Sequence, residues 1–507
     1  MERGHRPHLG LNVVANYAGK LWGIASVYVF VPIYVRLLGM DAYGLIAVNS
    51  IVLAILFIAD AGLSSAFARE AARAEPGQVL LDLLTTVERA LLSILVAIGV
   101  VFMLAAPLIA SSWLSSTHTV PPEHVRQCLW LMGIAFIPQI AMSLYFGGLM
   151  GLQRQVSANL LWTAFSVARS GLVVIPIFFL PDVRLFFAWQ ALASISMMLL
   201  MRHVLRRHIS QPLRAASHQK VRGHFSWPAL RAIRAYAVGM LGMSVISALN
   251  TQMDKLVVSK MLPLNEFALY SLASTLAQIP FILTLPIAAA LLPRFTNLLN
   301  QPHRRDDLTR LYRDASYYIA CIGAIAGLGL CLFIPDVFSL WIRGQSINAE
   351  TLNAARLLAL GSMLMTLQMA PYQLALAHGH QATNLRIGTF MTVVSVPLQI
   401  LLTSRYGVLG AAIPWLILNL VAFVYLGVIL NRKFPLVPLH HWLFIDNLLP
   451  IMPALLLLIS ARFYTDLLNA GPLINCLIAA LASLAAIGVS YVWRRHLTSS
   501  IPPTSTV

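Results

Sequence analysis

Apolar runs of about 20 residues follow one another from end to end of the chain, separated by short polar connections, and this pattern predicts a bundle of membrane-spanning helices. The window criterion places about 14 spans, at 12–34, 43–66, 87–109, 126–149, 158–180, 185–205, 235–262, 266–292, 312–334, 353–376, 385–404, 409–430, 446–464 and 472–492. Period-two alternation at about 10-residue spacing, the mark of a membrane barrel, is absent. The expected fold is therefore an all-α polytopic membrane protein. The first run follows Arg3 and Arg6 with no small-residue cleavage pattern behind it, so it reads as an uncleaved first span.

Polar residues inside these runs are not scattered at random. Asn12, Asn16 and Lys20 recur at i, i+4 and i+8 of the first span and line one side of it. Ser244, Ser247, Thr251 and Asp254 do the same on the seventh, with Lys255 beside them. The second span adds Asn49 and Asp60, and the eighth adds Ser271, Thr275 and Gln278 among Pro280, Pro286 and Pro293. A charge near the bilayer centre costs about 2.5–3.5 kcal/mol on insertion scales, so each needs a partner, a hydrated cavity or an escape to the interface. Lys20 has part of that escape through its long stem; the two asparagines on its face favour a cavity. Serine and threonine also bond between helices, and Asp254 and Lys255 can neutralise one another. Arg169 lies deep in the fifth span and shares a face with Trp162 and Phe165. A guanidinium beside aromatic rings suits a phosphate flanked by sugars; pairing with another helix is the structural alternative.

The two halves of the chain echo each other. Arg36-Leu-Leu-Gly-Met-Asp-Ala-Tyr-Gly-Leu resembles Lys260-Met-Leu-Pro-Leu-Asn-Glu-Phe-Ala-Leu at an offset of 224 residues. Gln155-Val-Ser-Ala-Asn159-Leu resembles His380-Gln-Ala-Thr-Asn384-Leu at an offset of 225, and Asp182-Val-Arg-Leu pairs with Gly407-Val-Leu-Gly at the same distance. Three matches at one offset argue for a duplicated six-helix unit. Six is even, so both copies insert alike, as two lobes related by a pseudo-twofold axis along the membrane normal. The expected layout is an N-lobe over 1–206, a basic linker over 207–232, a C-lobe over 233–432 and two appended spans over 433–507. Spans 1, 2, 7 and 8 are expected to face one central cavity.

Composition agrees: the 507 residues are 59% hydrophobic and 10% charged, with a mean hydropathy of +0.77, far from soluble domains. The net charge of +17 does not signal nucleic acid, because the basic residues flank spans. They collect in alternate connections, which places both termini in the cytoplasm. The linker is also expected to attract anionic lipids. Cys128, Cys321, Cys331 and Cys476 lack metal or redox spacing. The Gly323, Gly327 and Gly329 run lies in an apolar helix and reads as close packing, and His378 and His380 are too few for a metal. No nucleophile and base pair, Walker motif or catalytic carboxylate pair is present, so no catalytic residue, metal or cofactor is assigned.

Asn16-Tyr-x-Gly-Lys, Pro32-Ile-Tyr-Val-Arg-Leu-Leu-Gly-Met-Asp-Ala-Tyr-Gly and Asp60-Ala-Gly-Leu resemble the start of bacterial O-antigen and exopolysaccharide flippases of the Wzx type. These belong to the superfamily of multidrug and oligosaccharidyl-lipid flippases. Gln252-Met-Asp-Lys-Leu-Val-Val-Ser-Lys-Met-Leu, opening the second half, resembles the same family. The resemblance implies inner-membrane transport of a polyprenyl (undecaprenyl)-pyrophosphate-linked oligosaccharide by alternating access, coupled to H+ or Na+. It further implies a monomer working near a polysaccharide polymerase and a chain-length regulator. On this reading Lys20 and Arg169 contact the anionic headgroup, with Lys255 and Arg36 as further candidates. Asn12, Asn16 and Trp162 serve the sugars, and Asp60 or Asp254 binds the coupling ion. The alternatives are a cation-coupled drug or metabolite antiporter or a lipid II flippase of the same superfamily, and, from another class, a membrane polysaccharide polymerase or ligase.

Overall fold

A computed structural model describes residues 9–60, 62–113, 120–216, 222–345 and 347–499. Within these ranges the side chains of 9–21, 24, 214–216, 243, 246, 247, 250, 302, 381–383, 385, 431 and 497–499 lie outside the description. The described residues are helical almost throughout and contain no strand.

By its contacts the chain divides into two compact units, Met1–Asn265 and Glu266–Val507. The first holds α1 (Leu9–Leu38), α2 (Met40–Leu56, prolonged by a 3₁₀ turn over Phe57–Asp60), α3 (Leu63–Arg73), α4 (Gln78–Ser112) and α5 (Pro122–Gly151). It continues with α6 (Gln155–Ser166), a π-helical turn over Val167–Gly171, α7 (Val174–Phe179), α8 (Val183–Ala216) and α9 (Trp227–Met261). From α10 (Leu264–Ala277) onward the second unit adds α11 (Ile279–Leu299), α12 (Arg305–Trp341), α13 (Ala349–Leu367), α14 (Met369–Ala377) and α15 (Gln381–Lys433). It ends with a π-helical stretch over His441–Leu448, α16 (Ile451–Leu468) and α17 (Pro472–Ser499).

Ten helical stretches among the described residues are long and apolar enough to cross a membrane, with a shorter apolar stretch at Ala25–Leu38. The protein is a multi-pass, all-α membrane protein. Each expected span falls on helix, but the second runs from α2 into α3 and the fifth, eighth and tenth are each divided, into α6 and α7, α10 and α11, and α13 and α14. Helix α15 takes two expected spans, bent where Tyr406 and Gly407 leave helical geometry. Gly407 has a φ of 53°, and a Cβ there would lie 2.7 Å from the Glu350 Oε1; that carboxylate accepts a hydrogen bond from the Leu409 backbone N–H as the helix restarts (3.2 Å). A side chain at 407 would meet both obstacles.

Equivalent helices begin at Met40 and Leu264, Gln78 and Arg305, Pro122 and Ala349, and Gln155 and Gln381, pairs 224–227 residues apart. The packing repeats too: α5 lies against α4 and α8, as α13 lies against α12 and α15. Gly323 and Gly327 let α12 approach α13 closely, since a Cβ at either would meet Thr366 or Met363 below 3 Å; Gly329 faces open space.

Three local features differ from the sequence reading. The connection left between the first two expected spans, 12–34 and 43–66, narrows to Gly39 (φ 87°), so Arg36 lies in the last turn of α1 and Asp41 in the first turn of α2. Helix α8 runs on to Ala216, making the first part of the expected linker helical. The span equivalent to α1, α9, packs on α2, α3 and α4 and so belongs to the first unit.

Candidate functional site

The fifth span does not pass Arg169 as a regular α-helix. Between α6 and α7 it widens into the π-helical turn Val167–Gly171, and such a turn leaves carbonyls without their i+4 donors. Three consecutive carbonyls there are met from other helices. The Trp189 Nε1 donates to Ala168 O at 2.9 Å, the Gln190 Nε2 to Arg169 O at 3.0 Å, and the Tyr34 hydroxyl to Ser170 O at 2.5 Å. Phe30 of α1 covers Gly171, where a Cβ would sit 3.2 Å from its ring. Helices α1 and α8 together hold the widened turn open.

The Arg169 guanidinium lies over the Phe165 ring at 5.9 Å. Trp162 packs against Phe165 at 6.0 Å and against Phe146 at 5.3 Å. The expected cation and aromatic face is thus assembled, and Phe146 extends it from α5. Among the described residues no carboxylate lies within ion-pairing distance of Arg169. The residue stands roughly 21 Å from the start of its span and 15 Å from its end at 1.5 Å per residue, near mid-depth.

Asp60 ends the 3₁₀ turn after α2 and is 6% exposed. The Ser64 hydroxyl donates to its Oδ1, as do the Ser64 N–H at 3.3 Å and the Ser143 hydroxyl at 3.5 Å. The two hydroxyls are themselves 2.8 Å apart. Gly62 permits this corner: its φ is 69°, and a Cβ would come within 2.5 Å of the Ala237 carbonyl on α9. No basic side chain pairs with Asp60 among the described residues.

Asn12, Asn16 and Lys20 lie on α1, but their side chains are outside the described residues. Arg36 is exposed in the last turn of α1. On α9, Ser244, Asp254 and Lys255 are half-buried, Thr251 donates back to its own helix at Ala248 O (3.5 Å), and the Ser247 side chain is not described. Asn49 and Ser271 are buried, Thr275 donates back to Ser271 O at 2.8 Å, and Gln278 is exposed. His378 stacks on Phe434 at 3.7 Å and His380 lies tilted against the same ring at 5.2 Å, and no group of three metal-ligating side chains exists among the described residues.

Sequence reasoning missed three ionic clusters. Glu88 of α4, 3% exposed, accepts from the Arg202 Nε, from the Arg206 Nη2 at 2.6 Å and from the Tyr145 hydroxyl at 3.0 Å. Asp446 lies between Arg313 at 3.2 Å and Arg494 at 3.1 Å, and Arg494 also holds Asp314 at 2.8 Å. Asp336 accepts from Arg462 at 2.7 Å and from Asn475 at 2.6 Å. The last two clusters tie α16, α17 and the stretch before them to α12. Isolated charges in apolar runs were the signal; their partners lie 48–180 residues away. Of all these ions, the second unit neutralises its own, whereas the first leaves Arg169 and Asp60 without an opposite charge among the described residues.

A family model described as polysaccharide biosynthesis protein matches residues 10–299. A putative O-antigen transporter of Shigella flexneri is 23% identical over 192 residues, 38% of this chain and 45% of that protein. The amylovoran biosynthesis protein AmsL of Erwinia amylovora is 33% identical over 103 residues, 20% of this chain and 26% of that protein. The alignments thus span less than half the length of these curated relatives. Among solved structures, a lipid II flippase MurJ in an inward closed conformation superposes with a TM-score of 0.72 at 16% identity, covering 96% of this chain and 99% of that one. An inward-facing MATE-family multidrug transporter superposes at 0.60 and 18% identity, covering 82% and 96%.

Proposed function

We propose that the chain, which belongs to the polysaccharide biosynthesis protein family, is a flippase that carries a polyprenyl-pyrophosphate-linked oligosaccharide across the bacterial inner membrane. The cargo moves from the cytoplasmic to the periplasmic leaflet by alternating access, with both termini of the carrier in the cytoplasm. The protein transports and does not catalyse a covalent step. The observation that carries this reading is Arg169: a guanidinium near mid-depth, over an aromatic face, with no carboxylate to neutralise it among the described residues. Such a cation is costly in a membrane unless an anion meets it, and a pyrophosphate is an anion that a guanidinium grips with two parallel hydrogen bonds. The Trp162 and Phe165 rings offer apolar faces to sugars beside it, and Lys20 is assigned to the same headgroup.

Transport toward the outer leaflet needs a driving force. Asp60 is the candidate for coupling, because a buried carboxylate ringed by serine hydroxyls, with no basic partner among the described residues, offers oxygen ligands to a coupling cation. A MATE-like fold is equally compatible with drug export, but a mid-span arginine with no ion-pair partner among the described residues repels cationic drugs. Complementation of a flippase-null strain tests the proposal. The wild-type chain is expected to restore surface polysaccharide and deplete the lipid-linked oligosaccharide that accumulates on the inner leaflet. Restoration by Lys20→Ala and Arg169→Ala variants inserted at wild-type levels would remove these residues from the headgroup site.

A further inference from the structure

We propose that a cavity of about 550 Å³ on α8, lined by Leu199, Arg202, His203, Arg206 and Arg207, is a binding site for the phosphate group of a membrane lipid. The four polar residues recur at i, i+1, i+4 and i+5, so the helix places them on one side. Counting from Val183, where the span begins, they lie roughly 28–36 Å along the helix at 1.5 Å per residue. A hydrocarbon layer is about 30 Å thick, so the cavity sits at headgroup depth. Leu199 lies one turn closer to the hydrocarbon.

The cavity is preorganised by a residue behind it. Buried Glu88 takes one nitrogen from each of Arg202 and Arg206, and Tyr145 completes its acceptor set. Both guanidinium planes are thereby fixed, with further N–H donors left over. One donor, the Arg206 Nε, is buried and has no hydrogen-bond partner among the described residues. A phosphate oxygen is the acceptor that such a fork matches. The charge is unbalanced in the same sense. Three arginines stand against one carboxylate, and Arg207 has no ion pair among the described residues. The site has uncommitted charge and an apolar residue beside it at the depth where lipid phosphates lie.

A resident anionic phospholipid and the pyrophosphate-bearing cargo share this chemistry, so the site stands whether or not the transport reading holds. The test uses the purified full-length chain in detergent, with thermal stabilisation and native mass spectrometry as readouts. The probes are phosphatidylglycerol, a short-chain polyprenyl pyrophosphate, diacylglycerol and inorganic pyrophosphate. Arg206→Gln alone risks misfolding, because Glu88 would lose one of its partners, so it is paired with Glu88→Gln; Arg207→Gln is the second variant. The expected result is retention of phosphatidylglycerol or the prenyl pyrophosphate, no retention of diacylglycerol, and at least tenfold weaker binding in both variants. Preference for phosphatidylglycerol identifies a resident lipid, and preference for the prenyl pyrophosphate identifies the cargo. Wild-type affinity in both variants, or equally tight binding of inorganic pyrophosphate, overturns the proposal.

Discussion

The hydroxyl of Tyr34 on α1 donates to the carbonyl of Ser170 across 2.5 Å, one residue beyond the arginine that the π-helical turn presents. A helix distant in sequence therefore helps set the geometry of Arg169. Tyr34→Phe keeps the ring against Phe186 (5.1 Å) but strands the carbonyl, at a cost of about 1–3 kcal/mol. A lower thermal midpoint in nanodiscs with reduced polysaccharide export is expected. An unchanged midpoint would mean that the turn holds without its α1 contact.

Arg169→Lys separates charge from geometry. Lysine keeps the positive charge but loses the planar fork, so export is expected to fall about tenfold, equivalent to roughly 1.4 kcal/mol, while Arg169→Gln falls further. Equal activity of the Arg169→Lys variant and the wild-type protein at matched expression would show that charge alone suffices.

Asp60→Asn is nearly isosteric and keeps an acceptor for the Ser64 and Ser143 hydroxyls. In proteoliposomes, transport by this variant is expected to become indifferent to imposed proton or sodium gradients. A retained gradient dependence would move coupling elsewhere, with Asp254 the next residue to substitute.

Asp446 is completely buried between two arginines. Asp446→Asn leaves those guanidiniums without their shared counter-charge, and breaking a buried pair this way costs about 3–5 kcal/mol. A large fall in thermal midpoint is expected, and Asp446→Asn combined with Arg313→Gln is expected to be milder than Asp446→Asn alone. If the double variant is the worse of the two, the penalty comes from packing instead of charge.

Asp182, in the connection before α8, is held below the usual carboxylate range by hydrogen bonds from Arg184, the closest at 2.5 Å. Because the folded carboxyl titrates lower than the unfolded one, its stabilisation is complete above the ordinary carboxylate range and is lost as pH falls through the lowered value. The pair is partly exposed, so the effect is modest. Thermal midpoints measured from pH 6 down to pH 3, on the order of one unit below an ordinary aspartate, are expected to decline more steeply for wild type than for Asp182→Asn.

Spans were legible in the sequence because a lipid-facing helix must be apolar over its whole length, and the duplication was legible because three short echoes share one offset. Helix α3 was not separated from the second span, since Gly62 interrupts the run without changing its hydropathy. The Trp162, Phe165 and Arg169 face was read correctly from helical spacing, yet the π-helical turn was not, because its stabilising donors come from Tyr34, Trp189 and Gln190. Glu88 illustrates the general limit. Its identity as the acceptor for Arg202 and Arg206 is a property of how α4 meets α8, and periodicity along one helix carries no record of its neighbour.

The attachment of α9 to the first unit bears on how this protein can be divided. Arg69 rests on the ring of Tyr236 (4.7 Å), and the Trp113 Nε1 donates to the Ser259 hydroxyl (3.2 Å). A gene split in the connection over 222–226, at the boundary between the repeats, would send Tyr236 and Ser259 out on a separate polypeptide from their partners. A split at Leu262 and Pro263, between α9 and α10, keeps both contacts within one product. Co-expressed fragments should therefore assemble more readily from the second cut, although it divides the ancestral repeat.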